Sequence, residues 1–228
     1  MKPSILLLHG ALCTSSQFES LIERLKPYLD VHALDFSAHT HTPYGGVLDM
    51  NVLVKDIAQY FNNIAGQPCH IFGYSMGGYA AVTFAMGHPE RLGKIMTLGT
   101  KWDWNPASSA KDVAMLDPSI MADKLPSYVA KLQSLFGENN WINVVEKTAE
   151  LMLDLGHGTA LVEDDFNNID TDVLILRGSE DRMVTAESSE EVASWLKNGK
   201  YQEVAGFPHP LERVDIDVLA QEIIKFCV

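Results

Sequence analysis

The sequence predicts a three-layer α/β protein with a mainly parallel sheet of about six strands, helices on both faces and a helical insertion. Three observations support this fold class. Short apolar runs alternate with longer segments of helical period, as in successive βαβ units. One serine lies among glycines where a strand pattern changes into a helix pattern, and a long segment later interrupts the alternation. The 228 residues suffice for one such domain, so residues 1–228 are predicted to form a single unit.

Six short apolar runs predict the strands. The first begins almost at the N-terminus, and its continuous apolar character indicates a strand that is buried on both faces. A segment of helical period follows each run, so neighbouring strands are expected to lie parallel. In chain order the predicted strands are Ser4–Leu8, Val31–Ala33, His70–Phe72, Lys94–Leu98, Asp172–Leu176 and Lys200–Val204.

The connecting helices are predicted from apolar residues that recur three or four positions apart. Outside the insertion these segments are Ser16–Leu29, Met50–Ile64, Tyr79–Met86, Ser188–Leu196 and Val214–Phe226. Residues 101–168 are too long for an ordinary connection and contain three further helical patterns, Ala107–Met115, Ile120–Phe136 and Asn139–Leu155. We expect this insertion to fold as a cap over the carboxyl ends of the strands, where open α/β sheets bind ligands.

Composition and charge favour a small-molecule substrate. The formal net charge is −13 and the pI is about 4.9, so the surface repels phosphate backbones and anionic lipid headgroups. Neither nucleic acid nor a membrane is therefore expected as a partner. The apolar run Ile5–Leu8 is shorter than the roughly 7 residues of a signal-peptide core, and a cytoplasmic location is predicted.

The three cysteines, Cys13, Cys69 and Cys227, are odd in number and have no CxxC spacing. They predict neither a disulfide framework nor a thiolate metal site. No metal or organic cofactor is expected, and the sequence carries no signal for an oligomeric state.

Ser75 in the stretch FGYSMGG is the candidate nucleophile. It follows a predicted strand and precedes a predicted helix, which is the structural context of the G-x-S-x-G pattern. A turn this sharp crowds the residues two positions before and after the serine, and Gly73 and Gly77 relieve that crowding. The alternative is a glycine-rich bend in which a small polar residue happens to fit.

A serine hydroxyl needs a base, normally a histidine oriented by a carboxylate. His209, in GFPHPLERV, is the candidate base because it lies between the last strand and the last helix, on the same edge of the sheet as Ser75. Among the eight histidines the alternatives are His39 and His41, which precede the serine, His88 at a helix end and His157 at the end of the insertion.

Asp181 is the candidate orienting acid. It follows the strand VLIL and the turn RGSE, and its carboxylate can reach back to His209 from that loop. Glu180 beside it and Asp103, after the preceding strand, are the alternatives. The segment His9-Gly10-Ala11 ends the first strand at the same edge, and the Ala11 and Met76 N–H groups are candidate donors to an oxyanion.

These motifs resemble those of the α/β-hydrolase superfamily: HGA after the first strand, GYSMGG at the serine, HPERL after it, then VLILRGSEDRMV and GFPHPLERV. The resemblance covers the chain outside residues 100–168. It implies a serine hydrolase that acts on a small ester through an acyl-enzyme, with the family's chain order Ser75, Asp181, His209. It also implies that Ala11 and Met76 form the oxyanion hole.

The sequence departs from the family pattern at three places. Two strands common in larger relatives have no counterpart before Ser4. The loop Asp35–Thr42 lacks the two glycines that relatives carry there, and Pro208 stands where a glycine usually precedes the catalytic histidine. Together with Pro210 it predicts a stiff loop with unusual local geometry at His209.

Candidate pocket residues are His9, Gly10 and Tyr74 around the serine, together with Trp102 and Trp104 at the start of the insertion. Met115, Met121 and Phe136 of the insertion are further candidates. No arginine lies between residues 100 and 168, which favours uncharged or apolar substrates. The alternatives to an esterase are a thioesterase, a C–C bond hydrolase or a lyase on the same site, and a non-catalytic small-molecule sensor.

Overall fold

The computed structural model describes residues 2–62 and 68–228. Six strands form one parallel sheet in the spatial order β2-β1-β3-β4-β5-β6. The strands are β1 (Ser4–Leu8), β2 (Asp30–Leu34), β3 (Cys69–Tyr74), β4 (Leu92–Leu98), β5 (Asp172–Gly178) and β6 (Gly199–Val204). The predicted fold class and all six predicted strands are confirmed.

The helices that flank the sheet are α1 (Glu19–Leu25), α2 (Met50–Phe61), α3 (Met76–Gly87), α9 (Ala186–Trp195) and α10 (Ile216–Cys227). Between β4 and β5 lie α4 (Pro106–Val113), α5 (Pro118–Lys124), α6 (Pro126–Phe136), α7 (Asn140–Asp154) and α8 (Glu163–Phe166). No helix within residues 2–62 and 68–228 is both long and apolar enough to cross a membrane.

Each face of the sheet has its own apolar core because side chains alternate along a strand. Ile5 and Leu7 of β1 pack with α1 and α10, whereas Leu6 and Leu8 pack with the helices α2, α3 and α9 on the other face. The helices α5, α6 and α7 form a third cluster of their own, which Leu12 joins from the loop after β1.

Proline explains two differences between predicted and observed helices. The predicted helix Ile120–Phe136 is wrong as a single helix: α5 and α6 are separate, because Pro126 disfavours helical backbone at Leu125, which has φ −130° and ψ 48°. The predicted helix Ser16–Leu29 is shorter, since α1 begins after a 3₁₀ turn at Ser15–Phe18 and ends before Pro27, which has no N–H to donate.

Three further outcomes concern the ends of elements. The predicted helix Met50–Ile64 is observed as Met50–Phe61, and Ile64 lies outside the described residues. The patterns Ala107–Met115 and Asn139–Leu155 correspond to α4 and α7. After α7 the backbone widens into a π-type turn at Leu155–Thr159, which contains Gly158 with φ 111° and which the periodicity does not predict.

Candidate active site

Ser75 occupies a strained turn between β3 and α3. Its φ of 51° and ψ of −115° are unusual for a residue with a side chain. The Ser75 N–H donates to the Leu98 carbonyl over 2.9 Å, and the Thr100 hydroxyl donates to the Ser75 carbonyl over 3.0 Å. These bonds to β4 and the residues after it hold the turn in one conformation.

Two glycines make this turn possible. A Cβ at Gly73 would lie 2.5 Å from the Gly77 carbonyl oxygen, and a Cβ at Gly77 would lie 2.2 Å from the Leu8 carbonyl oxygen. Both distances are below any allowed contact, so the close approach of α3 to β1 and β3 requires hydrogen at these positions. The sequence-based reason for the two glycines agrees with this geometry.

Asp181 and His209 form a hydrogen-bonded pair on the neighbouring loops. His209 Nδ1 lies 2.8 Å from Asp181 Oδ2, and Asp181 Oδ1 accepts hydrogen bonds from the Met183 and Val184 N–H groups over 2.8 and 3.1 Å. Burial alone would raise the pKa of Asp181, but the bonds from His209 and from the two backbone donors together lower it. The carboxylate is therefore charged and its orientation is fixed from both sides.

Tyr74, which precedes Ser75, and Gly99, which follows β4, both lie against this pair. The Tyr74 hydroxyl donates to the His209 carbonyl over 2.7 Å. A Cβ at Gly99 would lie 3.2 Å from Asp181 Oδ2 and 3.3 Å from His209 Nδ1, so the Gly99 backbone is close to both side chains. Within residues 2–62 and 68–228, Ser75 Oγ forms no hydrogen bond with His209. Such bonds are often long in unliganded enzymes and tighten when a substrate binds.

His209 avoids the left-handed backbone region despite its flanking prolines. In the described ranges, only Leu12 and Ser75 among non-glycine residues have a positive φ, and no peptide bond is cis. The His209 side chain also keeps its bond to Asp181. The expectation of unusual local geometry there finds no support in the sign of φ or in the peptide bonds.

Two backbone N–H groups near Ser75 remain available as hydrogen-bond donors. The Gly10 N–H donates to the Gln17 side chain over 3.0 Å and is therefore occupied. Ala11 and Met76 both line the cavity that Ser75 also lines. Neither the Ala11 nor the Met76 N–H has an acceptor among the described residues.

His9 stabilises this turn and is not a proton donor or acceptor for a substrate. The Phe36 N–H donates to His9 Nε2 over 3.2 Å, so the ring carries its proton on Nδ1, which lies 2.8 Å from the Gly10 carbonyl. Complete burial lowers the pKa of His9 to about 4. The neutral ring therefore connects the Gly10 turn to the loop after β2.

Leu12 is a positioning residue that the sequence analysis did not identify. Its φ of 58° is rare for a bulky side chain and follows directly after Ala11. The side chain is buried among Leu132, Phe136 and other residues of α5, α6 and α7. This packing offsets the unfavourable backbone conformation, and no local sequence signal indicates it.

The cavity beside Ser75 is narrow and mostly apolar. Its volume is about 50 Å³, measured as the space open to the centres of water molecules. The residues that line it are Ala11, Met50, Ser75, Met76, Tyr79, Lys101, Trp104, Thr148, Leu151, Met152 and Leu155. The last four share one face of α7 and the turn after it, at the spacing i, i+3, i+4 and i+7. That spacing is the signal by which the sequence could have indicated them.

Among the described residues that line this cavity, Lys101 alone is charged, and its charge is compensated. Its Nζ lies 2.6 Å from Asp112 Oδ2 and 4.7 Å from the centre of the Trp104 ring. Because the lysine is held by a carboxylate and an aromatic face, the cavity is electrically close to neutral. The sequence analysis considered only arginines in the insertion and did not identify this residue.

The predicted pocket residues divide between the cavity and the core. Trp104 lines the cavity, whereas His9, Gly10, Tyr74 and Trp102 do not. The Trp102 ring is buried, with its centre 5.5 Å from that of Tyr79, because it fills the space between α3 and α8. The further candidates also lie elsewhere: Met115 is exposed, and Met121 and Phe136 belong to the core of the inserted helices.

The alternative acids and bases form no acid–histidine pair among the described residues. Asp103 and Glu180 are exposed, and no hydrogen bond joins either carboxylate to a described histidine. Fully buried His39 lies beside Thr148, and His88 stacks on Phe84 at the end of α3. His41 and His157 are exposed. In the described ranges no group of three or more His, Cys, Asp or Glu side chains is arranged to hold a metal ion.

The loop Asp35–Thr42 packs against the inserted helices without lining the cavity. The Asn140 side chain donates to the Thr40 carbonyl over 2.8 Å, and the His39 Nε2 lies 3.4 Å from the Thr148 hydroxyl. The loop that lacks the two glycines is thus held by its contacts with α7. Its buried side chains restrict the backbone of this loop.

A six-stranded parallel sheet, a serine on a strained strand-to-helix turn and a hydrogen-bonded aspartate–histidine pair define the α/β-hydrolase class. The chain belongs to the family described as "Serine aminopeptidase, S33", whose model matches residues 1–213.

Comparison with known proteins agrees with this class. The chain is 28% identical over 112 residues to a pimeloyl-[acyl-carrier protein] methyl ester esterase of Aeromonas hydrophila, covering 48% of this chain and 41% of that protein. It is 25% identical over 138 residues to the sn-1-specific diacylglycerol lipase ABHD11 of Xenopus laevis, covering 60% and 40%. The chain thus spans about two fifths of the length of each relative.

A solved structure reproduces the fold over almost the whole chain. NosK from Streptomyces actuosus superimposes with a TM-score of 0.83 at 19% identity, covering 99% of this chain and 97% of that one. At this identity the similarity establishes the fold alone.

Proposed function

We propose that the protein is a serine esterase that hydrolyses small carboxylic esters with a short, uncharged acyl group through an acyl-enzyme. Ser75 is the nucleophile, His209 the general base and acid, and Asp181 the carboxylate that orients it. The Ala11 and Met76 N–H groups form the oxyanion hole. Residues 101–168 act as the cap that closes the acyl site.

One observation supports this proposal most strongly. A single cavity is lined by Ser75 and by Ala11 and Met76, whose backbone N–H groups have no acceptor among the described residues. A hydrolase needs this combination, because the same carbonyl must meet a nucleophile on its carbon and donors on its oxygen. A non-catalytic sensor has no use for it.

In the acylation half-reaction, His209 Nε2 removes the proton from Ser75 Oγ as that oxygen attacks the ester carbonyl carbon. The carbonyl π electrons move to the oxygen, and the resulting oxyanion accepts hydrogen bonds from Ala11 and Met76. Asp181 stabilises the imidazolium that forms. The imidazolium then donates its proton to the alkoxy oxygen, the C–O bond breaks and the alcohol leaves.

In the deacylation half-reaction, water replaces the alcohol. His209 removes a proton from the water as its oxygen attacks the acyl carbon, and the same oxyanion site is used again. The tetrahedral intermediate collapses, Ser75 Oγ regains a proton from His209, and the carboxylic acid is released. The chain supplies all groups that these steps need.

The cavity beside Ser75, which we call the acyl cavity, indicates the size of the acyl group. A volume of about 50 Å³ holds roughly three to five heavy atoms, since one water-sized group needs about 10–15 Å³ on the same measure. The lining is apolar, and Lys101 is neutralised by Asp112. Two relatives are a methyl ester esterase and a diacylglycerol lipase, which supports an ester bond as the target. The free cysteines and acidic surface are compatible with the predicted cytoplasmic location.

The direct test measures hydrolysis of 4-nitrophenyl acetate and butyrate by the purified protein. We expect Ser75→Ala to lower kcat by roughly 10⁴–10⁶-fold, the scale seen when a triad nucleophile is removed. Ser194→Ala is the matched control, because Ser194 is an exposed serine on α9 that bonds only to the Glu191 carbonyl. Unchanged hydrolysis by Ser75→Ala would contradict the proposal.

A substrate panel separates the esterase from the alternative chemistries. Simple esters, thioesters and diketones distinguish ester hydrolysis from thioester or C–C bond cleavage. A fluorophosphonate probe tests for the activated serine independently of the substrate. Labelling of Ser75 supports a serine hydrolase, whereas absence of labelling favours a binding protein.

A further inference from the structure

A second, open cleft lies beside the Asp181–His209 pair. It has a volume of about 640 Å³ and is formed by the two loops that carry Asp181 and His209. Pro208, which departs from the family pattern, and Pro210 are part of its wall. This cleft is separate from the acyl cavity, whose lining does not include His209.

Two arginines of this cleft have no partner. The chain has five arginines, and Arg24, Arg91 and Arg177 each donate to an acidic or amide side chain. Arg182 and Arg213 are exposed, and their guanidinium groups make no hydrogen bond or ion pair with any described residue. Both unpaired guanidinium groups therefore belong to one cleft, one on each loop.

The charge of this cleft differs from that of the whole protein. The chain as a whole has a net charge of −13. Within the cleft the acidic residues are Glu180 and Asp181, and the charged Asp181 carboxylate is buried and bonded to His209. The formal charges of the cleft therefore balance, but both guanidinium groups are exposed whereas Glu180 carries its one exposed carboxylate.

We propose that this cleft binds an anionic group, a carboxylate or a phosphate, on the alcohol or thiol portion of the substrate. The inference rests on the proposed function, in which the acyl portion fills the cavity at Ser75 and His209 protonates the leaving group. The leaving group must therefore lie against His209, and whatever extends beyond it enters the cleft with Arg182 and Arg213.

Guanidinium groups suit this role because they bind carboxylate and phosphate oxygens with two parallel hydrogen bonds. Exposed pairs of this kind are individually weak. Two of them together correspond to roughly a 3- to 20-fold gain in affinity for an anionic over a neutral substrate.

The experiment compares pairs of substrates with the same acyl group, of which one has a neutral leaving group and the other an anionic one. The carboxylate arm uses 4-nitrophenyl butyrate and 3-carboxy-4-nitrophenyl butyrate. The phosphate arm uses S-butyryl-N-acetylcysteamine and butyryl-coenzyme A. We expect a lower KM for the anionic member of at least one arm, and the arm that responds identifies the anion. Raising NaCl from 0.05 to 0.5 M should reduce the difference, because salt screens exposed charges.

The double variant Arg182→Ala/Arg213→Ala should raise KM for the anionic substrate roughly 3- to 20-fold and leave KM for its neutral analogue unchanged. Arg182→Lys/Arg213→Lys should retain part of the preference, since charge persists while the two-pronged geometry is lost. Arg24→Ala, which removes an exposed arginine outside the cleft, is the matched control and should change neither value.

Equal KM values for anionic and neutral substrates in both arms would overturn the proposal, as would an equal change for both in the double variant. Equilibrium binding of 3-carboxy-4-nitrophenol and 4-nitrophenol tests the cleft without turnover. If Ser75→Ala hydrolyses normally, the proposed function fails, but tighter binding of the carboxylated phenol that depends on Arg182 and Arg213 still supports the anion site. Equal binding of the two phenols contradicts it.

Discussion

His209 Nδ1 and Asp181 Oδ2 lie 2.8 Å apart, and the other oxygen of the same carboxylate is held by two backbone N–H groups. This arrangement fixes the ring through Nδ1 and leaves Nε2 for the role that the proposed mechanism assigns to it. We predict that Asp181→Asn lowers kcat for 4-nitrophenyl butyrate by about 10⁴-fold, because an amide can force the wrong tautomer on the histidine. Steady-state kinetics at pH 7.5 measure this effect.

Asp103→Asn is the control for this variant. Asp103 is one of the two alternative acids, and its exposed carboxylate has no bond to a described histidine. Its kcat should match that of the unaltered protein. A large loss in Asp103→Asn together with normal activity in Asp181→Asn would reverse the assignment of the acid.

Two glycines of α3 should respond in opposite directions to alanine. A Cβ at Gly77 would lie 2.2 Å from the Leu8 carbonyl oxygen, so Gly77→Ala should lower the free energy of unfolding by at least about 2 kcal/mol. A Cβ at Gly87 meets nothing within 4 Å, and Gly87→Ala should raise that free energy by about 0.4–1 kcal/mol. Urea denaturation measures both, and equal effects would contradict the close packing of α3 on β1.

Leu155 separates the acyl cavity from a surface groove of about 470 Å³, and both spaces share Leu155 and Trp104. We predict that Leu155→Ala joins them and raises kcat/KM for 4-nitrophenyl octanoate relative to acetate by roughly tenfold, as expected when two or more further methylenes are buried. Leu155→Val, a smaller change, keeps the test informative if the alanine variant unfolds.

Leu125→Ala provides the comparison for this chain-length test. Leu125 lies between α5 and α6 and its side chain is 43% exposed, so its loss should leave the ratio unchanged. If Leu155→Ala and Leu155→Val, once shown to be folded, keep the octanoate-to-acetate ratio of the unaltered protein, then Leu155 does not limit the acyl length.

Two buried histidines should make the protein sensitive to acid. Burial lowers the pKa of His9 to about 4 and that of His39 well below its ordinary value of 6.5. Between about pH 4 and pH 6.5 these two histidines bind more protons in the unfolded chain than in the folded chain. Their contribution to the free energy of unfolding is therefore fully present above about pH 6.5 and decreases as the pH falls. For His9 the loss reaches roughly 3 kcal/mol below pH 4.

Urea denaturation at several pH values between 4 and 7 measures this dependence. His39→Leu removes one of the two groups and should reduce the slope of unfolding free energy against pH. His41→Leu is the control, because His41 is exposed on the same loop. An unaltered slope in His39→Leu would show that another group carries the acid sensitivity.

Much of the fold could be predicted because its signals are local. Apolar runs and helical periods identified all six strands, and the glycines around Ser75 identified the turn, since steric limits there act between residues close in the chain. The order of Ser75, Asp181 and His209 placed all three at one edge of the sheet. Parallel strands bring their carboxyl ends together, so topology alone suffices for that step.

The walls of the site could not be predicted in the same way, because they depend on contacts between distant segments. Trp102 and Trp104 are equivalent in the sequence, yet one ring fills the core beside Tyr79 and the other lines the cavity. The position of Leu12 depends on its packing against the inserted helices.

The sequence by itself therefore determined the class of the fold, the strained turn at Ser75 and the candidate partners of that serine, all of which follow from short-range sterics and strand topology. Only the tertiary structure decided which side chains surround the acyl cavity, that Asp112 neutralises Lys101, and that Arg182 and Arg213 remain unpaired in one cleft. The physical reason is that packing and charge pairing join residues that are far apart in the chain. A pattern along the sequence does not show which of these residues will be in contact.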